Sequence, residues 1–260
     1  VHPSPDTLKI AQNRILEKKF ANELGIKTTE WKSIKSLEEL KDGIKLYGNC
    51  ILKSVSGGYD GKQQYRLKSI NDIDEKLDFS KKYVLEKFLK FKQEISVAVT
   101  RFKDGKISIF EPSENKHEQG ILRESKIPAN INERIFKNSH DIAIKFAKKL
   151  NYVGTLNIEF MIDQKEDLYF LEWCNRCHNG MWHTVNSYEI CQFTNHIRAI
   201  CGLGFVENKK ISNATMTNIL GDEIKEYRNK SFKKNEFFFD YLKKEIRPGR
   251  KMGHLTILKD

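Results

Sequence analysis

The run Thr155-Leu156-Asn157-Ile158-Glu159-Phe160-Met161-Ile162, the polar interval Asp163-Gln164-Lys165-Glu166-Asp167 and the run Leu168-Tyr169-Phe170-Leu171-Glu172-Trp173 read as two strands joined by a turn. With the turn at Gln164 to Asp167, Glu159 falls directly opposite Glu172, on the sheet face shared with Asn157. Like charges opposed across a ladder destabilise it. A hard divalent cation removes that penalty, and Mg²⁺ held by one or two carboxylates plus substrate phosphates is the usual arrangement at nucleotide sites.

Outward from this hairpin, helices and strand pairs interleave. Asp6 caps an expected helix through Leu24 ended by Gly25, and Ser36 to Tyr47 is a shorter one. Cys50 to Ser54 is a strand, with a possible return over Gln64 to Leu67. Tyr83 to Phe88 and Ile95 to Phe102 are strands, the latter turned by Asp104-Gly105 into Lys106 to Phe110. Asn132 to Leu150 and Tyr188 to Cys201 read as helices, and short strands surround Met216, Phe238 and Leu255. Regular β-α-β alternation is missing, so the fold class is α+β rather than a doubly wound sheet.

The most glycine-dense loop, Ser56-Gly57-Gly58-Tyr59-Asp60-Gly61-Lys62-Gln63-Gln64, follows the strand that delivers Lys53. Ser56 and Gln63 stand where a Walker A loop needs Gly and Ser or Thr. The remaining reading is a glycine hairpin whose backbone N–H groups fold over phosphates while Lys53 reaches in as a point charge.

Composition sets the frame. The chain has 260 residues, 39% hydrophobic and 31% charged, with a mean hydropathy of −0.59, and no run approaches the roughly 18 apolar residues of a membrane span. The 46 Lys and Arg against 35 Asp and Glu give +11, but the basic residues occur as scattered pairs such as Lys148-Lys149, Lys209-Lys210 and Lys233-Lys234, so neither nucleic acid nor membrane is an expected partner. Five cysteines without an export signal read as reduced thiols in a cytoplasmic protein. Cys174-Asn175-Arg176-Cys177-His178 matches the haem-attachment spacing, yet lacks the exported context for haem and a second ligand pair for zinc; neither is expected.

An ordered set of motifs then carries a resemblance. Gln12-Asn13-Arg14 with Glu17-Lys18, Gly57 to Lys62 with Gln64, Glu114-Asn115 with His117 and Gly120-Ile121-Leu122, Glu172 with Arg176, His178 and Asn179, Gln192-Phe193 with His196 and Arg198-Ala199, Asn218 with Leu220-Gly221, and the closing Arg247-Pro248-Gly249-Arg250-Lys251-Met252-Gly253-His254 together resemble the N5-carboxyaminoimidazole ribonucleotide synthetases, ATP-dependent carboxylases of purine synthesis. The resemblance implies an ATP-grasp fold, two α+β subdomains clasping ATP, with a small C-terminal β-rich segment. It divides the chain into a junction helix over residues 1–17, an ATP-grasp domain over 18–203 and a C-terminal domain over 204–260. A leading domain is expected to lie outside this chain, which opens at Val1 just before the junction helix.

By this similarity ATP and Mg²⁺ are the cofactors, 5-aminoimidazole ribonucleotide and bicarbonate the substrates, and a homodimer the assembly. Arg14 and Lys53 would contact phosphates under a loop of Gly58, Tyr59, Asp60, Gly61, Lys62 and Gln64. Glu86, Lys87, Phe88 and Leu89 would meet adenine, largely through backbone groups, and Glu94 the ribose; His117 and Leu171 complete the nucleotide set. Glu159 and Glu172 would bind Mg²⁺. Arg176, His178 and Asn179 would form the catalytic pocket, and Lys244, Arg247 and Lys251 would neutralise the ribonucleotide phosphate. The alternatives are another ATP-grasp ligase, such as the formate-dependent glycinamide ribonucleotide transformylase, or a non-catalytic ATP-binding protein. The chain departs from the family pattern at Leu171, where Asn is usual, at Cys174-Asn175 in place of Ala-Pro, at Met181-Trp182-His183, and at Asp240 and Leu242, where His and Tyr are usual.

Overall fold

A computed structural model describes residues 2–57 and 64–259. Its first segment is two helices, α1 (Pro5–Ala11) and α2 (Arg14–Glu23), rather than the one continuous helix expected from Asp6 to Leu24. The break has local and distant causes. Asn13 turns its side chain back to accept the Ile15 and Leu16 N–H groups at 3.0 and 3.1 Å, capping α2, while the Arg14 N–H donates to the Val55 carbonyl at 3.0 Å. Ser4, not Asp6, caps α1.

The first sheet has four strands in the order β1-β4-β2-β3, formed by β1 (Trp31–Ile34), β2 (Cys50–Ser54), β3 (Gln64–Leu67) and β4 (Tyr83–Lys87). Helix α3 (Leu37–Tyr47), capped by Ser36, buries Leu40 and Ile44 against Ile34, Leu52 and Leu85 on this sheet.

The second, larger sheet runs β10-β9-β5-β7-β8-β11-β13-β12, with β6 also paired to β5. Its strands are β5 (Phe91–Arg101), β6 (Ile107–Ile109), β7 (Ser113–Glu118), β8 (Ile121–Ile127), β9 (Gly154–Asp163), β10 (Leu168–Cys174), β11 (Asn213–Leu220), β12 (Glu236–Asp240) and β13 (Lys251–Lys259). The β7–β8 hairpin lies at the centre of the path, although its polar sequence gave no strand signal. Because β11 pairs with β8, the sheet is continuous from the hairpin at 154–174 into the C-terminal segment.

The remaining described α-helices are α4 (Glu133–Lys149), α5 (Thr184–Ser187), α6 (Gln192–Cys201) and α7 (Glu223–Arg228), with short 3-10 turns at Ile70–Asp72 and Asn179–Met181. The helix expected over Tyr188 to Cys201 begins only at Gln192, where the Cys191 sulfur accepts the Thr194 N–H; Tyr188 is instead in an isolated bridge to Lys210. Phe146 of α4 packs among Phe20 of α2, Phe170 and Trp173 of β10, with ring centroids 4.8, 5.8 and 5.1 Å away. Such contacts contribute about 0.5–1.5 kcal/mol each beyond area burial. They seat α2 under β10, and the consequence is that Arg14 and Glu17 arrive at the carboxylate pair.

Candidate active site

A cleft of 700 Å³ opens between the two sheets. One wall is the small sheet with Lys53 and Glu86; the other is the large sheet with Glu94, His117, Glu159 and Glu172. Glu159 and Glu172 are paired across β9 and β10, by a route that differs from the expected one. Leu168 pairs with Ile162, a register that alone would place the two carboxylates on opposite faces; Leu171 then bulges, and the register shifts so that Glu172 meets Glu159.

The charges around this pair are sharply differentiated. Burial pushes the Glu159 carboxyl up, the neighbouring Glu172 charge adds to it, and the result is about 8. Glu172 is held below the ordinary carboxylate range: burial opposes ionisation, but Arg14 and Lys53 outweigh it, with Arg14 Nη1 3.2 Å from Glu172 Oε2. Glu17, also raised to about 8 by burial and by Glu172, accepts the Trp173 N–H at 2.7 Å. A cation between Glu159 and Glu172 would relieve these shifts, and the hard oxygen donors suit Mg²⁺. Among the described residues no cluster of three His, Cys, Asp or Glu stands ready as a metal cage; two carboxylates completed by phosphate oxygens and water are the arrangement Mg²⁺ prefers.

On the opposite wall Glu86 sits between two lysines, its oxygens 3.0 Å from Lys53 Nζ and 3.1 Å from Lys18 Nζ. Burial favours its neutral form, yet the two ammonium charges prevail and hold it at about 2. Lys87, Phe88 and Leu89 line the same end, but the Lys87 and Phe88 N–H groups are taken by the Glu30 and Asn49 carbonyls at 2.9 Å. Those two donors are closed to adenine. Glu94 lines the cleft paired to His117, which it holds protonated above the usual range against the opposing effect of burial.

Arg176, His178 and Asn179, the residues expected to act in catalysis, follow β10 and line the cleft. Gln192 clamps the backbone of His178 from both sides, accepting its N–H at 2.9 Å and donating to its carbonyl at 2.8 Å. The His178 Nδ1 accepts the Gly180 N–H at 3.2 Å, and burial lowers the ring to about 4, so it is a neutral imidazole at physiological pH. A side chain at Gly180 would come within 3.2–3.3 Å of Ser96, Asn115 and His178 itself. Asn179 is locked by a reciprocal amide pair with Asn218, at 2.7 and 3.1 Å. Arg176 lines the cleft with one guanidinium N–H donated to the Cys177 carbonyl at 2.8 Å.

The structure thus gathers Arg14, Lys53, Gln64, Glu86, Lys87, Phe88, Leu89, Glu94, His117, Glu159, Leu171, Glu172, Arg176, His178, Asn179 and Lys251 around one cleft. It does not bring in Lys244 and Arg247: both are exposed and absent from the cleft wall, and Arg247 donates to Glu245 at 2.6 Å. Asp240 pairs with Arg228 at 2.7 Å, Leu242 is exposed, and His183 is fully buried beside Ser187, away from the cleft. Gly58, Tyr59, Asp60, Gly61 and Lys62 lie outside the described residues. The sequence reading assigned no site role to Glu17, Lys18, Gln192 or Asn218; the four-residue spacing of Arg14 and Lys18 on one helix face is the signal that could have found Lys18.

Two sheets closing on a cleft of carboxylates, lysines and arginine define an ATP-grasp protein, and the ATP-grasp domain family matches residues 19–193. Residues 214–260 match the phosphoribosylaminoimidazole carboxylase C-terminal domain. The chain is 37% identical to the N5-carboxyaminoimidazole ribonucleotide synthase of Brucella melitensis over 264 residues, covering all of this chain and 73% of that protein. It is 36% identical to that of Bacillus subtilis, covering 98% of this chain and 68% of the relative. A solved N5-carboxyaminoimidazole ribonucleotide synthetase in complex with ADP superposes with a TM-score of 0.91 at 35% identity, over 98% of this chain and 68% of the other. An Aspergillus clavatus carboxyaminoimidazole ribonucleotide synthase complexed with ATP gives 0.93 at 26% identity, over 99% and 71%. The chain belongs to the N5-carboxyaminoimidazole ribonucleotide synthase family.

Proposed function

We propose that this chain carries out the ATP-dependent carboxylation of 5-aminoimidazole ribonucleotide by bicarbonate, a carbon–nitrogen ligation of purine biosynthesis. The observation that carries the reading is the meeting of the Glu159–Glu172 pair, Arg14 and Lys53 with Arg176, His178 and Lys251 around one cleft, in a chain of this family. A bicarbonate oxygen attacks the γ-phosphorus, ADP leaves, and carboxyphosphate forms. The substrate amine then attacks the carboxyl carbon, phosphate leaves, and the N–C bond is made with loss of a proton.

Positioning and charge neutralisation carry most of such a transfer. Arg14 and Lys53 would hold the phosphates. Arg176 offers a planar fork to bicarbonate and carboxyphosphate, which Lys does not. His178, a neutral imidazole whose Nδ1 already accepts the Gly180 N–H, would offer its Nε2–H as a donor near that centre, and Asn179 would orient the carboxyl group. Lys251 would meet the ribonucleotide phosphate, joined by Lys244 and Arg247 only if the 241–250 segment moves inward. Glu159 and Glu172 would hold Mg²⁺, which when bound supplies charge neutralisation to the transferring phosphoryl group.

The finer assignments belong to the same reading: a homodimer, working in the cytoplasm. No described helix is long and apolar enough to cross a membrane, and the half-exposed Phe239 ring, stacked on His254, offers apolar surface to a second copy. The test is phosphate release from ATP and bicarbonate, with and without 5-aminoimidazole ribonucleotide. Stimulation by the ribonucleotide with formation of the carboxylated product is expected; stimulation by formate and glycinamide ribonucleotide instead would transfer the chain to the other ligase.

A further inference from the structure

Lys18 has no place in the chemistry described so far. It is 2% exposed, sealed from the cleft, and its ammonium group is 3.1 Å from the Glu86 carboxylate whose other oxygen is 3.0 Å from Lys53. One buried carboxylate therefore serves two buried cations. Arg14 lies one turn away on the same face of α2 and pairs with Glu172, so a single helix supplies a cation to a carboxylate on each wall.

We propose that Lys18 is a positioning residue, the second counter-ion of Glu86, which leaves Lys53 free to turn from Glu86 toward nucleotide phosphate. A buried carboxylate stripped of its partner is strongly unfavourable. If Lys53 were the sole partner of Glu86, each approach to phosphate would leave that carboxylate uncompensated, and the cost would be taken from ATP affinity. With Lys18 in place the carboxylate keeps one cation whichever way Lys53 points. The inference rests on the reading of Lys53 as a phosphate contact.

The test is ATP affinity by calorimetry in four variants of the full chain. Lys53→Ala should weaken binding roughly 10- to 100-fold, the scale of a charge-assisted contact. Lys18→Met should weaken it about 10-fold or more although Lys18 touches no nucleotide, and Lys18→Arg should restore it. Glu86→Gln and the double variant Lys18→Gln/Glu86→Gln should bind ATP equally, because a neutral amide needs no counter-ion; this comparison also serves if Lys18→Met does not fold. Unchanged affinity in Lys53→Ala removes the reading of Lys53 and this inference with it. A weakened Lys53→Ala beside an unchanged Lys18→Met overturns the inference alone, as does a large difference between Glu86→Gln and the double variant, which would make Lys18 a plain packing residue.

Discussion

Glu172 faces Glu159 because Leu171 bulges out of β10, shifting the register by one residue within the strand. The two carboxylates then share one face of the sheet, with Arg14 on Glu172 at 3.2 Å and Ser96 Oγ on Glu159 at 3.0 Å. An arrangement unfavourable for folding is thus built by a specific backbone irregularity and partly compensated by side chains from α2 and β5, and the proposed cation would complete that compensation.

Glu172→Gln keeps the shape and removes one charge. Mg²⁺-dependent ATP turnover should fall by roughly 10²-fold or more, since charge neutralisation of the transferring group is the metal's contribution. Steady-state assays over a Mg²⁺ series check this; near-normal turnover in a folded variant would end the metal assignment.

Gln192→Ala should cost about 1–3 kcal/mol of stability, because it strands the His178 N–H and carbonyl that the fully buried amide satisfies. Urea unfolding measures the loss. Turnover should fall further than the folded fraction explains, since the loop bearing Arg176 and His178 loses its clamp; an unchanged kcat in the folded variant would show that the loop is held otherwise.

Acid should expose Glu86. Its folded pKa of about 2 lies below the ordinary glutamate value of 4.5, so it contributes stability fully present above about 4.5 and lost as pH falls through about 2. The shift corresponds to about 3 kcal/mol, less whatever the burial of Lys18 takes back. Glu159 and Glu17, raised to about 8, are protonated in the folded chain throughout that window, and the slope they add near pH 4.5, where the unfolded carboxyls still titrate, is common to parent and variant and cancels in the comparison. Thermal melts from pH 5 to pH 2.5 should therefore show a shallower loss for Glu86→Gln than for the parent; parallel curves would contradict the two-lysine account.

Cys174 and Cys177 should react slowly. Burial pushes Cys177 up to about 12 and Cys174 higher still, leaving almost no thiolate at neutral pH. Timed alkylation read by mass spectrometry should label the exposed Cys201 first, and the purified protein should show no Soret absorption and no stoichiometric zinc. Rapid labelling at Cys174 or Cys177 would mean that their segment opens readily.

Local signals determined much of the architecture. Ser36 and Asn132 announced α3 and α4, Asp104-Gly105 the turn before β6, and alternation the strands β9 and β10, because caps, turns and strand periodicity are properties of neighbouring residues. The ordered motifs carried the family, and with it most of the residues that line the cleft. The tertiary structure alone decided the rest. The break before Arg14 needs the Val55 carbonyl, the β7–β8 hairpin needs β5 and β11 on either side, and the outward position of Lys244 and Arg247 is set by how the 241–250 segment packs. The Leu171 bulge is a cross-strand event, invisible to a uniform register even where the predicted pairing is correct. Glu86 is expected from the family resemblance to meet adenine; only when α2 brings Lys18 against it from one side and β2 brings Lys53 from the other does it become a shared counter-ion, since charges separated by 68 and 33 positions in the chain meet only in the fold.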